Sequence, residues 1–202
     1  MAFPSLPTLM DKQALNCKRN PGFVERMDRG WCVATITGIY YLALALTRYI
    51  DADEGYFLYA ARLVSEGGVP YRDFFYPQMP MLPYMWGTIL GYLGGVDWIK
   101  GRLLAAVMAW GCAMIFRFLL KREGIGSSMT LFLFFTYLVS DFGMEWSTTV
   151  KTYLPAMFFL LTGWSLVPVD RSGLSSTRGR ALYSRLFLSG ACFACAVMSR
   201  LT

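Results

Sequence analysis

Residues 81–96 read MLPYMWGTILGYLGGV. Whether this apolar stretch crosses the membrane decides on which side of the membrane each later loop lies. The stretch is shorter than the roughly 17–25 residues that cross a bilayer. It also contains two tyrosines, one tryptophan and four glycines. Because aromatic residues favour the membrane–water interface, this composition predicts a helix that lies at the membrane surface and does not cross.

The distribution of positive charge supports that interpretation. If 81–96 lies at the surface, twelve of the 19 lysines and arginines fall on the inner side and seven on the outer side. If it crosses, the numbers become nine and ten. Since cytoplasmic loops carry an excess of Lys and Arg, the first arrangement is predicted, with a cytoplasmic N-terminus in the inner (plasma) membrane of the cell.

The overall composition, 55% hydrophobic and only 16% charged, is typical of an integral membrane protein. The sequence predicts an all-α fold with five transmembrane helices, after a cytoplasmic tail at 1–30. A long external loop, 51–101, is predicted to carry short interfacial helices. The basic residues border apolar runs, which argues against nucleic acid as a partner. The five predicted spans are 31–50, 103–120, 127–146, 153–169 and 183–201.

The external loop begins with a concentration of acids, DADEG at 51–55. A helix is predicted over 53–66, with Asp51 or Asp53 as its N-terminal cap and Gly67-Gly68 at its end. Apolar residues recur along it at helical spacing, so its apolar face is predicted to rest on the membrane. The prolines that follow predict an extended connection.

The chain has no histidine, which makes carboxylates the natural candidates for acid–base chemistry. Asp53, Glu54 and Asp73 lie close to the predicted membrane edge. They can also hold a divalent cation, although the sequence defines no coordination geometry and no metal-binding residue is assigned. The alternative is that these acids only cap a helix and keep the loop soluble.

The same loop resembles the first external loop of the C-type (GT-C) glycosyltransferases, which use lipid-linked sugars. That superfamily includes the protein O-mannosyltransferases, the lipid A aminoarabinose transferases and bacterial relatives similar to glycosyltransferase family 39. The similarity extends over 35–202 and is strongest at 51–84. The residues that carry it are Asp53-Glu54, Tyr56, GVPYRD at 68–73, the proline-rich segment 77–83, Arg102, and KREG at 121–124.

This resemblance implies a membrane transferase that moves a sugar from a polyprenyl-phosphate donor to an acceptor hydroxyl of a glycan, lipid or protein. It implies that Asp53, with Glu54, is the catalytic carboxylate and that 31–202 is the N-terminal part of the transferase domain. The activity of this stretch alone is left open. The residues predicted to bind substrate are Asp73, Tyr71, Arg72, Arg102 and Lys151.

Two features depart from the family pattern or leave alternatives open. Tyr153 stands where family members often have a second aspartate, and nearby Lys151 can either bind the donor phosphate or extend to the interface as an ordinary lysine. Asp141 and Glu145 are either functional intramembrane acids or interfacial ones. The alternative to an enzyme is a non-catalytic membrane protein, such as a transporter component or a scaffold.

Overall fold

A computed structural model of the chain describes residues 30–168 and 179–200. The predicted cytoplasmic tail, except for Gly30, and most of the polar loop at 167–180 lie outside these residues. The described part is helical and contains no β-strand. Its helices are α1 (Gly30–Thr47), α2 (Glu54–Ser65), α3 (Met81–Tyr92), α4 (Trp98–Arg122), α5 (Ser127–Val139), α6 (Tyr153–Leu166) and α7 (Gly179–Ser199), with a π-helical turn at Phe142–Trp146.

Three of these helices are long and apolar enough to cross a membrane: α1, α4 and the part of α7 at Leu182–Ser199. They indicate a membrane protein. Helices α5 and α6 have 13 and 14 residues. At 1.5 Å per residue each is about 20 Å long, short of a hydrocarbon core of about 30 Å. Two of the five predicted spans therefore form helices shorter than predicted.

The predicted span at 127–146 is interrupted because Ser140 redirects the chain. The Ser140 hydroxyl donates to the carbonyl of Tyr137 at 2.7 Å and accepts the amide of Gly143 at 3.2 Å. Side-chain bonds of this kind compete with the regular helical pattern. Helix α5 consequently ends at Val139, and the chain passes through the π-helical turn into a non-helical segment before α6 begins.

Helix α2 begins and ends close to the predicted positions. At its start, the Asp53 amide donates to the side chain of Asp51 at 2.9 Å, and Asp53 itself makes no capping bond. Of the two predicted caps, only Asp51 therefore binds a backbone amide here. At its end, Gly67 has a φ of +94°, and Gly68 donates to the carbonyl of Leu63 at 2.8 Å. This is the left-handed glycine termination that the sequence predicted.

The apolar face of α2 is buried by protein, so the prediction that it rests on the membrane is wrong. Phe57, Ala60 and Ala61 are at most 4% exposed, and α3 packs against α2. Helix α3 brings the fully buried Trp86, whose indole donates to the carbonyl of Gly101 at 3.1 Å. The two helices of the loop therefore form one layer that is fastened to the start of α4.

The remaining helices pack around α4. Helix α1 lies along α4, and α6 lies against both α4 and α7. Small buried residues on α4 permit this close approach, as is common between membrane helices. These residues are Ala105, Ala106, Ala109, Cys112 and Ala113.

Gly87 sets the spacing between α2 and α3, and its replacement is expected to destabilise the fold. A Cβ atom at Gly87 would lie 2.5 Å from the Ala61 backbone oxygen, which cannot move without separating the helices. We expect Gly87→Ala to lower the free energy of unfolding by about 1–3 kcal/mol. Gly55→Ala is the control, because a Cβ there meets nothing within 4 Å. It is expected to be neutral or stabilising by up to about 1 kcal/mol. Equal thermal unfolding midpoints in detergent would contradict this packing.

Candidate functional site

The acidic start of α2 is built around a buried ion pair between Glu54 and Arg102. The Arg102 Nη2 atom lies 2.7 Å from Glu54 Oε2, and Arg102 Nε lies 3.1 Å from Oε1. The Glu54 side chain is 1% exposed and the Arg102 side chain is 6% exposed. A buried charge requires both a counter-ion and hydrogen bonds, and this geometry supplies them.

Arg102 also closes the end of α1. Its guanidinium donates to the carbonyls of Arg48, at 2.8 Å, of Ala45, at 3.3 Å, and of Tyr49. The last carbonyls of a helix have no partner within the helix and carry partial negative charge, so a cation stabilises them. Trp98 lies 4.7 Å from the guanidinium carbon and shields it. Arg102 thus joins α1, α2 and α4.

Glu54 adds a fourth element, the segment 147–152 between the π-helical turn and α6. The Val150 amide donates to Glu54 Oε1 at 3.0 Å. Every residue of this segment is buried, and five of the six have polar or charged side chains. Irregular backbone is tolerated near a bilayer only where the protein satisfies its polar groups, and Glu54 is one of the groups that does so.

Lys151 lies within that segment and faces the two aspartates that flank the start of α2. Its Nζ atom is 2.9 Å from Asp51 Oδ2 and 3.4 Å from Asp53 Oδ2. The Trp146 ring centroid lies 4.4 Å from the same nitrogen. Because the Lys151 side chain is only 8% exposed, it does not extend to the interface as the alternative interpretation had it.

Asp53 and Asp51 differ in accessibility although both contact Lys151. The Asp53 side chain is 66% exposed and that of Asp51 is 34% exposed. Partial burial opposes ionisation of Asp51. The hydrogen bond from the Asp53 amide and the nearby Lys151 ammonium outweigh it, so the pKa of Asp51 is lowered. Asp53 therefore presents an accessible carboxylate beside a buried cation, an arrangement that can accept a proton from a bound hydroxyl.

The loop at 69–78 holds the other predicted binding residues. Asp73 accepts the Val69 amide at 2.8 Å and pairs with Arg72 at 2.8 Å. These two contacts lower the pKa of Asp73 to about 2. Tyr71 donates its hydroxyl to the backbone carbonyl of Gln78. The side chains of Arg72 and Asp73 are exposed, so this pair lies at the surface.

The structure brings four of the predicted site residues into one network: Asp53, Glu54, Arg102 and Lys151. Asp73 and Arg72 instead pair with each other on the loop. Tyr71 is linked to it indirectly, because the Thr152 hydroxyl donates to the Gln78 side chain at 2.9 Å.

Two contributors to the network were not among the predicted site residues. Asp51 belongs to the same acidic motif, and its position two residues before Asp53 could have identified it. Trp146 gave no signal, because its contact with Lys151 depends on the non-helical path between them. Glu145, one of the acids left open, pairs with Arg48 at 3.5 Å, and Asp141 is exposed.

The three acids considered for a divalent cation do not cluster. Glu54 binds Arg102, Asp73 binds Arg72, and Asp53 faces Lys151. Within 30–168 and 179–200, no group of three or more His, Cys, Asp or Glu residues is placed to hold a metal ion.

An apolar groove of about 400 Å³ opens beside the ion pair, between α2 and the start of α4. Glu54, Arg62 and Asp97 are the charged residues that line it. Leu58, Tyr59 and Trp98 are among the apolar residues that line it. The groove can accommodate part of a hydrocarbon chain next to the charged network.

Comparison of the chain with protein-family models, with curated proteins and with solved structures finds no match. The resemblance to the GT-C glycosyltransferases therefore rests on the sequence motif, and the function has to be argued from the geometry of this site.

Removal of the Glu54 charge is expected to destabilise the protein strongly. Glu54→Gln would leave the Arg102 guanidinium buried without a counter-ion, which typically costs about 3–5 kcal/mol. Glu66→Gln is the matched control, because Glu66 pairs with Arg62 at 2.9 Å on the surface, where such pairs contribute little. Thermal unfolding of both variants in the same detergent measures the difference. A Glu54→Gln midpoint equal to that of wild type would contradict the central role of this pair.

Proposed function

We propose that the protein is a membrane glycosyltransferase of the GT-C type. It transfers a sugar from a polyprenyl-phosphate donor to an acceptor hydroxyl on the external face of the inner membrane. The observation that carries this proposal is the exposed Asp53 carboxylate, which lies 3.4 Å from the buried Lys151 ammonium. Its chain neighbour Glu54 lines an apolar groove. The motif around Asp53 supports it independently.

The reaction requires a base at the membrane edge. The Asp53 carboxylate accepts the proton of the acceptor hydroxyl as that oxygen forms a bond to the anomeric carbon of the sugar. The bond between the anomeric carbon and the phosphate oxygen breaks, and its electron pair leaves with the polyprenyl phosphate. The donor phosphate lies at the bilayer surface, so a base that is accessible at that level is placed where the chemistry requires it.

The neighbouring charges have positioning roles in this proposal. Glu54 is buried and bound to Arg102, so we assign both to holding the start of α2 in place, although the sequence suggested catalysis for one and substrate binding for the other. Lys151 is already neutralised by two aspartates and orients Asp53. Arg72 also pairs with a carboxylate, that of Asp73, but its side chain is 69% exposed. It is therefore the accessible cation that we assign to the leaving phosphate.

The groove between α2 and α4 is the proposed binding site for the polyprenyl chain of the donor. Its lining is mostly apolar and includes Glu54, the chain neighbour of Asp53. A polyprenyl chain gains free energy by burying its hydrocarbon surface there, which places the phosphate near the start of α2. The acceptor then approaches from the aqueous side.

The five-span arrangement with a cytoplasmic N-terminus is part of the same proposal. It predicts that the turn between α4 and α5 is cytoplasmic. A single cysteine at Ser127, in a background without native cysteines, should resist an impermeant thiol reagent in intact cells and react after permeabilisation. A cysteine at the exposed Glu66 is the matched control and should react in intact cells. Labelling at Ser127 in intact cells would contradict the proposed membrane topology.

The role of Asp53 is tested by Asp53→Asn, which preserves shape and removes the base. Transfer of labelled sugar from polyprenyl-phosphate donors should fall by roughly a hundredfold to ten-thousandfold. Glu66→Gln, an exposed acid at the far end of α2, should transfer normally. Near-normal transfer by a folded Asp53→Asn variant would contradict the assignment. A severe loss in Asp73→Asn alone would move the base to the loop.

A second function is favoured by one specific observation, the break between α5 and α6. Buried polar residues at 147–152 form a non-helical segment, and discontinuous helices of this kind build the substrate sites of transporters. In that case the protein is a non-catalytic component of a transporter. Wild-type protein that transfers no sugar from any polyprenyl-phosphate donor would favour this alternative.

A further inference from the structure

A compact group of aromatic rings, Tyr56, Tyr71 and Tyr76, lies beside the charged network. The rings of Tyr56 and Tyr76 are stacked, with their centroids 5.8 Å apart and their planes 5° from parallel. The Tyr71 ring meets Tyr76 edge to face at 6.4 Å. Tyr76 is 1% exposed, whereas Tyr56 and Tyr71 are 40% and 59% exposed. The buried ring therefore supports two rings that remain accessible.

Two connections fix these rings relative to Asp53. Asp53 has helical backbone angles and Tyr56 follows it by three residues, so the two side chains lie on one face of the helix, about 5–6 Å apart at Cβ. On the other side, Tyr71 and Thr152 both bind Gln78, and Thr152 directly follows Lys151. The aromatic surface and the Asp53–Lys151 pair are thus held as one unit.

The backbone at Tyr71 is held in an unusual conformation. Its φ of +68° is the single positive value at a non-glycine residue within the described ranges. The conformation is maintained by the hydrogen bond from the Tyr71 amide to the Phe74 carbonyl, at 2.9 Å. Left-handed backbone at a bulky residue is unfavourable and is found most often at functional sites. It places the Tyr71 ring against Tyr76 here.

We propose that Tyr56 and Tyr71 form a binding subsite for a saccharide, whose apolar C–H face stacks on the exposed rings. The role of this saccharide as the acceptor rests on the proposed function; the binding itself does not. Aromatic rings supply a flat apolar surface, and the phenol and carboxylate groups at its edge can bind hydroxyls. A glycan is therefore the acceptor class, of the three considered, that this surface fits.

The hydroxyl of Tyr76 is a buried polar group beside the exposed rings. It has no hydrogen-bond partner among the described residues. Burial, and to a lesser extent the neighbouring phenols Tyr56 and Tyr71, raise the pKa of Tyr76. The aromatic surface therefore borders a polar group, which suits a polyhydroxylated ligand better than a hydrocarbon chain.

An aromatic belt at the membrane interface is the competing explanation for exposed tyrosines. Tyr49 and Tyr92 fit that role, because they are 94% and 89% exposed and have no ring contact within the described part of the chain. Tyr56 and Tyr71 differ, since their rings are stacked or their hydroxyls are bound. Anchoring in lipid headgroups requires no such fixed geometry, and a specific ligand does.

The test measures binding of simple methyl pyranosides to the full chain in lipid nanodiscs, by saturation-transfer NMR. We expect saturation of the C–H protons of at least one pyranoside. Tyr56→Leu should weaken that binding by roughly tenfold, as expected for the loss of one aromatic contact. Tyr56→Phe keeps the ring and should bind within about threefold of wild type. Tyr92→Leu is the control and should be unchanged.

Further variants separate this inference from the proposed function. Asp53→Asn should lower transfer by roughly a hundredfold to ten-thousandfold. It should weaken pyranoside binding by only about threefold, because Asn still hydrogen-bonds and both tyrosine rings are unchanged, so binding can be measured whether or not the variant is active. If Tyr56→Leu does not fold, Tyr71→Leu provides the same comparison.

A nitroxide spin label attached at position 56 tests whether this surface faces water or lipid. The label should collide more often with a water-soluble nickel complex than with oxygen, which concentrates in the lipid. Absence of binding by every pyranoside, equal binding by folded leucine variants, or greater oxygen accessibility would each overturn the inference.

Discussion

The buried ion pair between Glu54 and Arg102 holds together four parts of the chain that are distant in sequence. Arg102 on α4 binds backbone carbonyls at and just beyond the end of α1 and the first acidic side chain of α2. Glu54 also binds the Val150 amide ahead of α6. Each partner alone would be an uncompensated charge in an apolar interior. The pair therefore requires that all four elements meet at one point. Lys151, Asp51 and Asp53 come together beside it.

The non-helical segment at 147–152 depends on the same pair. A backbone that leaves the helix near a membrane must find hydrogen bonds elsewhere, and Glu54 provides one of them. In return the segment presents Lys151 to Asp51 and Asp53. A helix continuing from α5 through this region would carry Lys151 in another direction. The break between α5 and α6 is thus a structural requirement for placing a cation beside the exposed carboxylate.

Positioning and accessibility are divided among the acids. Glu54 is inaccessible and fixes the backbone, while Asp51 binds both the Asp53 amide and Lys151. Asp53 is left with an open side chain whose direction is already determined. Preorganisation of this kind allows a carboxylate to act on a bound hydroxyl without rearrangement. The tyrosines on the same face extend the fixed surface outward, towards the side from which a polar ligand would approach.

The sequence by itself determined that the chain is helical and membrane-associated, because long apolar runs have few other stable structures. It also located the glycine end of α2 and placed Asp53 at its start, since these depend on residues close in the chain. Tertiary structure decided the rest. The apolar face of α2 is covered by α3 because Gly87 permits close approach, and Glu54, Arg102 and Lys151 are buried because partners from distant segments neutralise them. Local pattern cannot reveal such partners, since a pairing across 48 residues depends on the whole path of the chain between them.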